Sequence, residues 1–331
     1  MVKGNITMKN NIAYKIGGLL YIPATNKTAA AKIVNKQFPN LTSVCFCLED
    51  SIGDNSVEAA TKTLAKSLSQ IETMPREERP IIFIRVRSPK HMMMIYSELK
   101  PFQDAYDGYV LPKFDETNSE AYIHNIQKIN GFGEKTFYVM PILESKQIAN
   151  IKTRTDTLVK LKSQIDQIKD IVPNIRVGGN DFCNLFGIRR NIHQTIYDIG
   201  VVRDILVDII NVFSTDYVVS GPVWEYFGKL DNMTHENEDW AKGLIRELEL
   251  GKLNGFTGKT VIHPSQLPII ANAMKVSRSD YEDAIDILNW SNEDLGVQKT
   301  KSSRMNEVKC HMRWAMKIKT MGDIYGIREN E

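Results

Sequence analysis

One pattern constrains this chain more than any other: short apolar runs rich in β-branched and aromatic residues alternate with stretches whose apolar residues fall at helical spacing. The strand-like runs cover residues 19–23, 43–48, 80–86, 108–111, 137–143, 175–177, 217–219 and 258–262. Between them lie predicted helices, of which 56–71 is the clearest, with Val57, Ala60, Leu64 and Leu68 on one face. Strands that alternate with helices pair in parallel, since the helix supplies the crossover that a parallel pair requires. About eight alternations is the count that closes a parallel barrel. The predicted class is therefore α/β, a (β/α)8 TIM barrel. An open doubly wound sheet is the alternative, and it lacks the expected Gly-x-Gly-x-x-Gly after the first strand.

Local signals refine this outline. Residues 26–34 read as a helix started by Thr25 or Asn26, and a long helical region runs from 144 to 171 with a break near Thr155. Residues 195–212 form the helix after the sixth strand. Past Val276 the alternation stops, and 280–290 and 304–324 read as helices around a loop at 293–301, with no strands. The expected division is a barrel over residues 1–275 that carries the chemistry and a C-terminal helical extension over 276–331, an arm or a lid.

The chain has 42 Lys and Arg against 40 Asp and Glu, a net charge of +2. Nucleic-acid and membrane-surface binders concentrate a basic excess, so neither is an expected partner. The polar start and the short apolar run 16–22, ended by Pro23, fit neither a signal peptide nor a membrane span, and a cytoplasmic location is expected. Four cysteines do not make a disulfide framework in 331 residues. Cys45 and Cys47 share one strand face and read as reduced core thiols, with a thiolate zinc site as the alternative.

In parallel barrels the chemistry sits at the C-terminal ends of the strands. The polar residues at the predicted ends are Glu49 and Asp50, Arg85 and Arg87, Lys113, Glu144, Asp181, Glu225 and His263. On adjacent parallel strands Glu144 and Asp181 would meet at the rim, a pairing that suits a hard divalent cation such as Mg2+. Taken singly, each acid could instead favour the N-terminus of the following helix. Gly178 and Gly179, with Asn180 beside them, let the backbone turn sharply and bring amide groups close to a ligand. Arg85 lies within an apolar strand, so its guanidinium should face a carboxylate, either a substrate's or that of Glu49 or Asp50. Lys113 is a salt-bridge partner or, in a metal-free aldolase, a Schiff-base nucleophile. His263 is the only one of six histidines at a predicted strand end. His91, His124, His193 and His235 read as solvent-facing, and His311 reaches a site only if the C-terminal segment folds over it.

Seven stretches carry a resemblance: Leu20-Tyr21-Ile22-Pro23-Ala24, Leu48-Glu49-Asp50-Ser51-Ile52, Ile84-Arg85-Val86-Arg87, Leu111-Pro112-Lys113, Pro141-Ile142-Leu143-Glu144-Ser145, Gly178-Gly179-Asn180-Asp181-Phe182, and the run from Gly255 to Gln266. In this order they resemble the citrate lyase β-subunit-like family of the HpcH/HpaI aldolase superfamily. The run Ser303-Arg304-Met305-Asn306-Glu307-Val308-Lys309-Cys310-His311 is similar to the branch described as a C-C bond lyase of the TIM-barrel fold. The resemblance implies a Mg2+-dependent carbon–carbon lyase or aldolase that works on a small carboxylated substrate, a 2-oxo acid or an acyl-CoA-like compound, through a metal-stabilised enolate. It implies metal ligands at Glu144 and Asp181, a substrate-gripping guanidinium at Arg85 and an acidic pair at Glu49 and Asp50. Arg87, Lys113, Gly178, Gly179, Asn180, Glu225 and His263 are the further candidates for substrate contact, and a homo-oligomer is the implied assembly. Malyl-CoA-type thioester hydrolysis and a binding subunit without catalysis remain as alternatives. Three departures bear on them: Cys47 stands where the family often has Asp, Arg87 where it usually has Asn, and the segment from Ser220 to Asn237 replaces a shorter one. Arg87 would favour a more anionic substrate.

Overall fold

The computed structural model describes residues 9–133, 135–230, 236–290, 296–299 and 304–328. The expectations attached to His235 and Ser303, and to part of the loop after the seventh strand, lie outside these residues. The first unit, up to Ile270, opens with α1 (Lys9–Lys15) and β1 (Gly18–Pro23). It continues through α2 (Ala29–Val34), β2 (Ser43–Cys47), α3 (Val57–Ile71), β3 (Ile81–Arg85), α4 (Pro89–Glu98), β4 (Gly108–Leu111), α5 (Ser119–Phe132) and β5 (Tyr138–Leu143). There follow α6 (Lys146–Ala149), α7 (Arg154–Asp166), β6 (Arg176–Val177), α8 (Gly179–Leu185), α9 (Gly200–Phe213), α10 (Asp239–Leu253), β7 (Lys259–Val261) and α11 (Leu267–Met274), within which the unit ends.

The seven strands pair in parallel in the spatial order β6, β5, β4, β3, β2, β1, β7. Residues 217–221 fill the gap between β6 and β7. They make no regular strand, yet Ile175 bridges Val219 on one side and Gly221 bridges Lys259 on the other, both in parallel. The expected seventh strand is thus a short stave that closes the barrel, cut off by Pro222, which has no N–H to continue a ladder. Ile16, Leu19, Cys45, Phe83, Val110, Met140 and Ile142 form one buried cluster in the barrel interior. Their strand neighbours Leu20, Val44, Phe46, Ile82, Ile84, Tyr109 and Val139 are also buried. By alternation they lie on the opposite face, so both faces of the sheet are covered, which is why the strands read as nearly continuous apolar runs. Cys45 belongs to this interior, and burial pushes its thiol pKa up, as expected of a reduced core residue.

Several predicted boundaries move for local reasons. Helix α2 starts at Ala29 rather than Asn26, because the Asn26 side chain accepts from both the amide and the hydroxyl of Thr28 at 3.0 Å and holds a turn there. The long helical region breaks before Arg154, not at Thr155. The buried Arg154 guanidinium donates to Ile148 O at 2.9 Å and Ala149 O at 3.0 Å, satisfying carbonyls that α6 leaves free at its end. The helix expected over 195–212 begins only at Gly200, preceded by a 3-10 turn, Ile196–Asp198, whose capping box joins Thr195 and Asp198.

Residues from Ala271 onward form the second compact unit. It contains β8 (Val276–Ser277), α12 (Arg278–Leu288), β9 (Val297–Lys299), β10 (Met305–Glu307), α13 (Val308–Tyr325) and β11 (Ile327–Arg328). The helices pack through Ala284, Ile287 and Ala315. The strands correct the all-helical expectation: β8 pairs in parallel with β11, and β9 antiparallel with β10. Runs of two or three residues are too short to express a two-residue period. His311 lies in this unit, where its Nδ1 accepts the Glu307 amide at 3.0 Å. Among the described residues no helix is long and apolar enough to cross a membrane.

Candidate active site

Glu144 follows β5, and Asp181 lies in the first turn of α8, which starts directly after β6. The two segments come together over Gly178. A Cβ at that position would lie 2.2 Å from Glu144 Oε2 and 2.8 Å from Asp181 Oδ2, so only glycine lets both carboxylates crowd the same point. The requirement is one of space: Gly178 has φ −92° and needs no left-handed turn, contrary to the sharp turn expected of it. Gly179 is likewise tight, with Pro222 Cβ 2.7 Å from where its Cβ would be.

Glu144 is 5% exposed, and burial, then the charge of Asp181, pushes its pKa up to about 8. Opposing this are Arg85, whose Nη2 is 3.7 Å from Glu144 Oε1, and the Lys113 amide, which donates to the same oxygen at 2.7 Å. Positive charge from the protein is thus insufficient for two adjacent carboxylates, and their oxygens are the hard ligands a divalent cation of the Mg2+ type selects. The donor set fits that ion.

Beside the pair, Arg85 ends β3 with its Nη2 2.9 Å from Glu49 Oε2 and 3.0 Å from Asp50 Oδ2. Lys113 Nζ bridges the same two acids, at 2.8 Å from Glu49 and 3.2 Å from Asp50. To do so while its amide reaches Glu144, Lys113 adopts φ +48°, a left-handed backbone that costs a non-glycine residue about 1 kcal/mol or more. Its hydrogen bond to Glu49 raises the ammonium pKa above the ordinary lysine value, the opposite of what a Schiff-base nucleophile needs. At Asp50 burial works toward protonation. Hydrogen bonding with Glu49 and the charges of Arg85 and Lys113 outweigh it, and the carboxyl stays below its usual range.

A cavity of about 420 Å3 opens at this rim. Of the expected site residues, Asp50, Arg85, Glu144, Gly178, Gly179, Asn180, Asp181 and Glu225 line it. Glu49 and Lys113 stand behind the lining, joined to it through Arg85 and Asp50. Arg87 does not face the cavity. Its guanidinium donates to Leu48 O and Ile52 O, both at 3.1 Å, and pairs with Asp54, bracing the loop after β2. It therefore adds no charge for a more anionic substrate. His263 is also outside the lining: its Nδ1 is 2.8 Å from Ser265 Oγ and its ring stacks on Phe227 at 4.5 Å. His124 and His193 are exposed as expected, whereas His91 is buried, with Nδ1 accepting the Arg87 amide at 3.1 Å.

The polar side chains of Tyr21, Ser51, Arg176 and Thr260 also line the cavity, as does Cys47, read from the sequence as a core thiol, and none of them was among the expected site residues. Arg176 gave the same signal as Arg85, a lone charge inside an apolar strand, in Ile175-Arg176-Val177. Arg85 Nε and both Nε and Nη1 of Arg176 are buried without a hydrogen-bond partner.

Comparison with known proteins places these features in a family setting. A family model described as C-C_Bond_Lyase of the TIM-Barrel fold matches residues 10–327. The mitochondrial citramalyl-CoA lyase of Homo sapiens is 23% identical over 294 residues, 85% of this chain and 75% of that protein. Among solved structures, a citrate lyase from Burkholderia xenovorans LB400 is similar at TM-score 0.69 and 13% identity, over 95% of this chain and 94% of its own. CitE from Mycobacterium tuberculosis, in complex with magnesium, acetoacetate and coenzyme A, is similar at TM-score 0.60 and 16% identity, over 93% of this chain and 98% of its own.

Proposed function

The chain belongs to the family of carbon–carbon bond lyases of the TIM-barrel fold, and on that premise we propose that it is a Mg2+-dependent lyase or aldolase acting on a small carboxylated substrate, a 2-oxo acid or an acyl-CoA-like compound. One observation carries this reading: the Glu144 and Asp181 carboxylates crowd Gly178 beside a buried arginine that still has an N–H to offer. Its substrate class draws support from relatives, one named for citramalyl-CoA and another crystallised with magnesium, acetoacetate and coenzyme A.

In this reading Glu144 and Asp181 hold the cation. When bound, Mg2+ polarises the substrate carbonyl and offsets the negative charge that develops there as the carbon–carbon bond breaks. Arg85 orients the substrate by taking its carboxylate on Nε, while Glu49 and Asp50 fix the guanidinium from behind. Glu49, buried against both Arg85 and Lys113, is a positioning residue. Asp50, at the cavity wall, is the carboxylate placed to take the proton of a substrate hydroxyl during cleavage, although Arg85 and Lys113 lower its basicity.

Calorimetric titration with MgCl2 tests the core of this assignment. The full chain is expected to bind Mg2+, and Glu144→Gln and Asp181→Asn to lose that binding together with any product seen by mass when 2-oxo acids and acyl-CoA esters are screened. Unchanged Mg2+ affinity in both variants would refute it.

A further inference from the structure

Four arginines are buried among the described residues: Arg85, Arg154, Arg176 and Arg190. Three of them meet carboxylates, Arg85 at Glu49 (2.9 Å), Arg154 at Asp208 (2.9 Å) and Arg190 at Glu247 (2.9 Å). Arg176, at 1% exposure, has no acidic partner among the described residues. Its Nη2 donates to Thr260 Oγ1 at 2.6 Å, a bond that fixes the side chain from β6 to β7 without neutralising it. Nε and Nη1 remain unmatched, and the residue lines the cavity. A buried, uncompensated guanidinium is strongly unfavourable unless an anion or ordered polar group completes it, and here the space beside it is the substrate cavity.

The two guanidiniums of the cavity differ in their partners. Arg85 and Arg176 each lie 5.9 Å from the centre of the half-buried Tyr21 ring, on the interior face of β1. Arg85 is already largely neutralised by Glu49 and Asp50, whereas Arg176 is not, so the unbalanced positive charge of the cavity is at Arg176. We propose that Arg176 binds a second carboxylate of the substrate, so that the 2-oxo acid this chain handles carries a carboxylate at each end. The inference rests on the Mg2+-dependent, 2-oxo acid reading above and narrows its substrate class to dicarboxylic acids. Arg176 is the specificity-determining residue, and Thr260 is the positioning residue that aims it.

Two matched pairs of acids test this, 2-oxopentanedioate against 2-oxopentanoate and 2-oxobutanedioate against 2-oxobutanoate. Each pair differs only in the distal carboxylate. Titrated into the Mg2+-loaded full chain, the diacid of at least one pair should bind roughly tenfold tighter or more, the scale of one charge-assisted hydrogen bond in a buried site. Arg176→Met should erase that preference by lowering the affinity for the diacid much more than that for the monoacid, and Arg176→Lys should keep part of it. Equal affinities for both members of both pairs in the unmodified protein overturn the proposal alone, whether or not any variant folds. Equal loss of both acids in Arg176→Met also overturns it, because the arginine would then only support the barrel wall. If no 2-oxo acid binds the Mg2+-loaded protein at all, this proposal fails, while the lyase reading stands or falls separately on Mg2+ binding at Glu144 and Asp181 and on the acyl-CoA esters.

Discussion

Glu144 is where a proton and a cation compete for one buried oxygen pair. Its pKa in the folded protein is raised from 4.5 to about 8, by burial first and by Asp181 second. The fold thus binds this proton more tightly than the unfolded chain does. The resulting stabilisation is fully present below the unfolded value and is lost as pH rises through about 8. Glutamine imitates the protonated acid and does not titrate. Without divalent cation, Glu144→Gln and the unmodified protein should therefore melt alike near about pH 4, while the variant melts higher near about pH 8.5. Mg2+ must displace the proton, so it should raise the melting temperature of the unmodified protein more at the higher pH and leave the variant unmoved. Thermal melts at the two pH values, with and without MgCl2, decide this. A Mg2+ response in Glu144→Gln equal to that of the unmodified protein would remove Glu144 from the metal site.

At the scale of elements, the rim is held up by charges that never reach it. Glu247 on α10 is 1% exposed and takes Lys259 of β7 on Oε1 at 2.6 Å, while Oε2 accepts from Arg190 Nη1 at 2.9 Å and from the Ile196 amide at 2.8 Å. One side chain thereby ties a helix, a strand and the connection before α9. Glu247→Ala strands the buried Lys259 and leaves Arg190 only Glu225, at 3.5 Å, and should destabilise the fold by roughly 3–5 kcal/mol in urea denaturation. Lys259→Met leaves Glu247 paired with Arg190 and should cost distinctly less; equal losses would mean that packing, not charge, is what the network supplies. None of this was legible in the sequence. The apolar spacing of α10 reveals the helix, but a glutamate among Arg246, Leu248 and Glu249 looks like any solvated charge, because burial of a single polar side chain leaves no period. The rim acids were legible for the opposite reason. Glu49 and Glu144 come within two residues of the end of an apolar strand, and Asp181 follows the glycine pair after β6, where a change of character marks the end of the buried run. Arg176 carries the signal of Arg85 instead, a charge inside an apolar run, and that signal is weak here because β6 is only two residues long.

For the whole molecule, the alternation of runs was enough to give a closed barrel, since the number of strands fixes closure. It could not show that one stave is much weaker than the rest. Residues 217–221 join the barrel through single bridges on either side, with Ile175 N bonded to Val218 O at 2.9 Å, Ser220 N to Ile175 O at 2.9 Å and Gly221 N to Gly258 O at 3.1 Å. The opposite wall, from β1 to β3, pairs over five residues at each junction. Opening of the short stave should therefore need less than global unfolding, and its amides should exchange with solvent faster than those of Val44 and Ile82. The proposed ligand groups Asp181 and Arg176 belong to the β6 side of this seam, and Thr260, which fixes Arg176 by a hydrogen bond, to the β7 side. A ligand on Arg176 thus depends on a contact that crosses the weak stave. If opening the seam releases that ligand, saturation with Mg2+ and 2-oxopentanedioate at about 100 times Kd slows exchange at Ser220 and Gly221 by the full linkage factor, about 100-fold, the same factor that slows the central strands. Hydrogen exchange followed amide by amide measures both. Central strands that slow while Ser220 and Gly221 keep their free-protein rates would mean that the seam opens with ligand still bound, and that the site draws nothing from the β7 side.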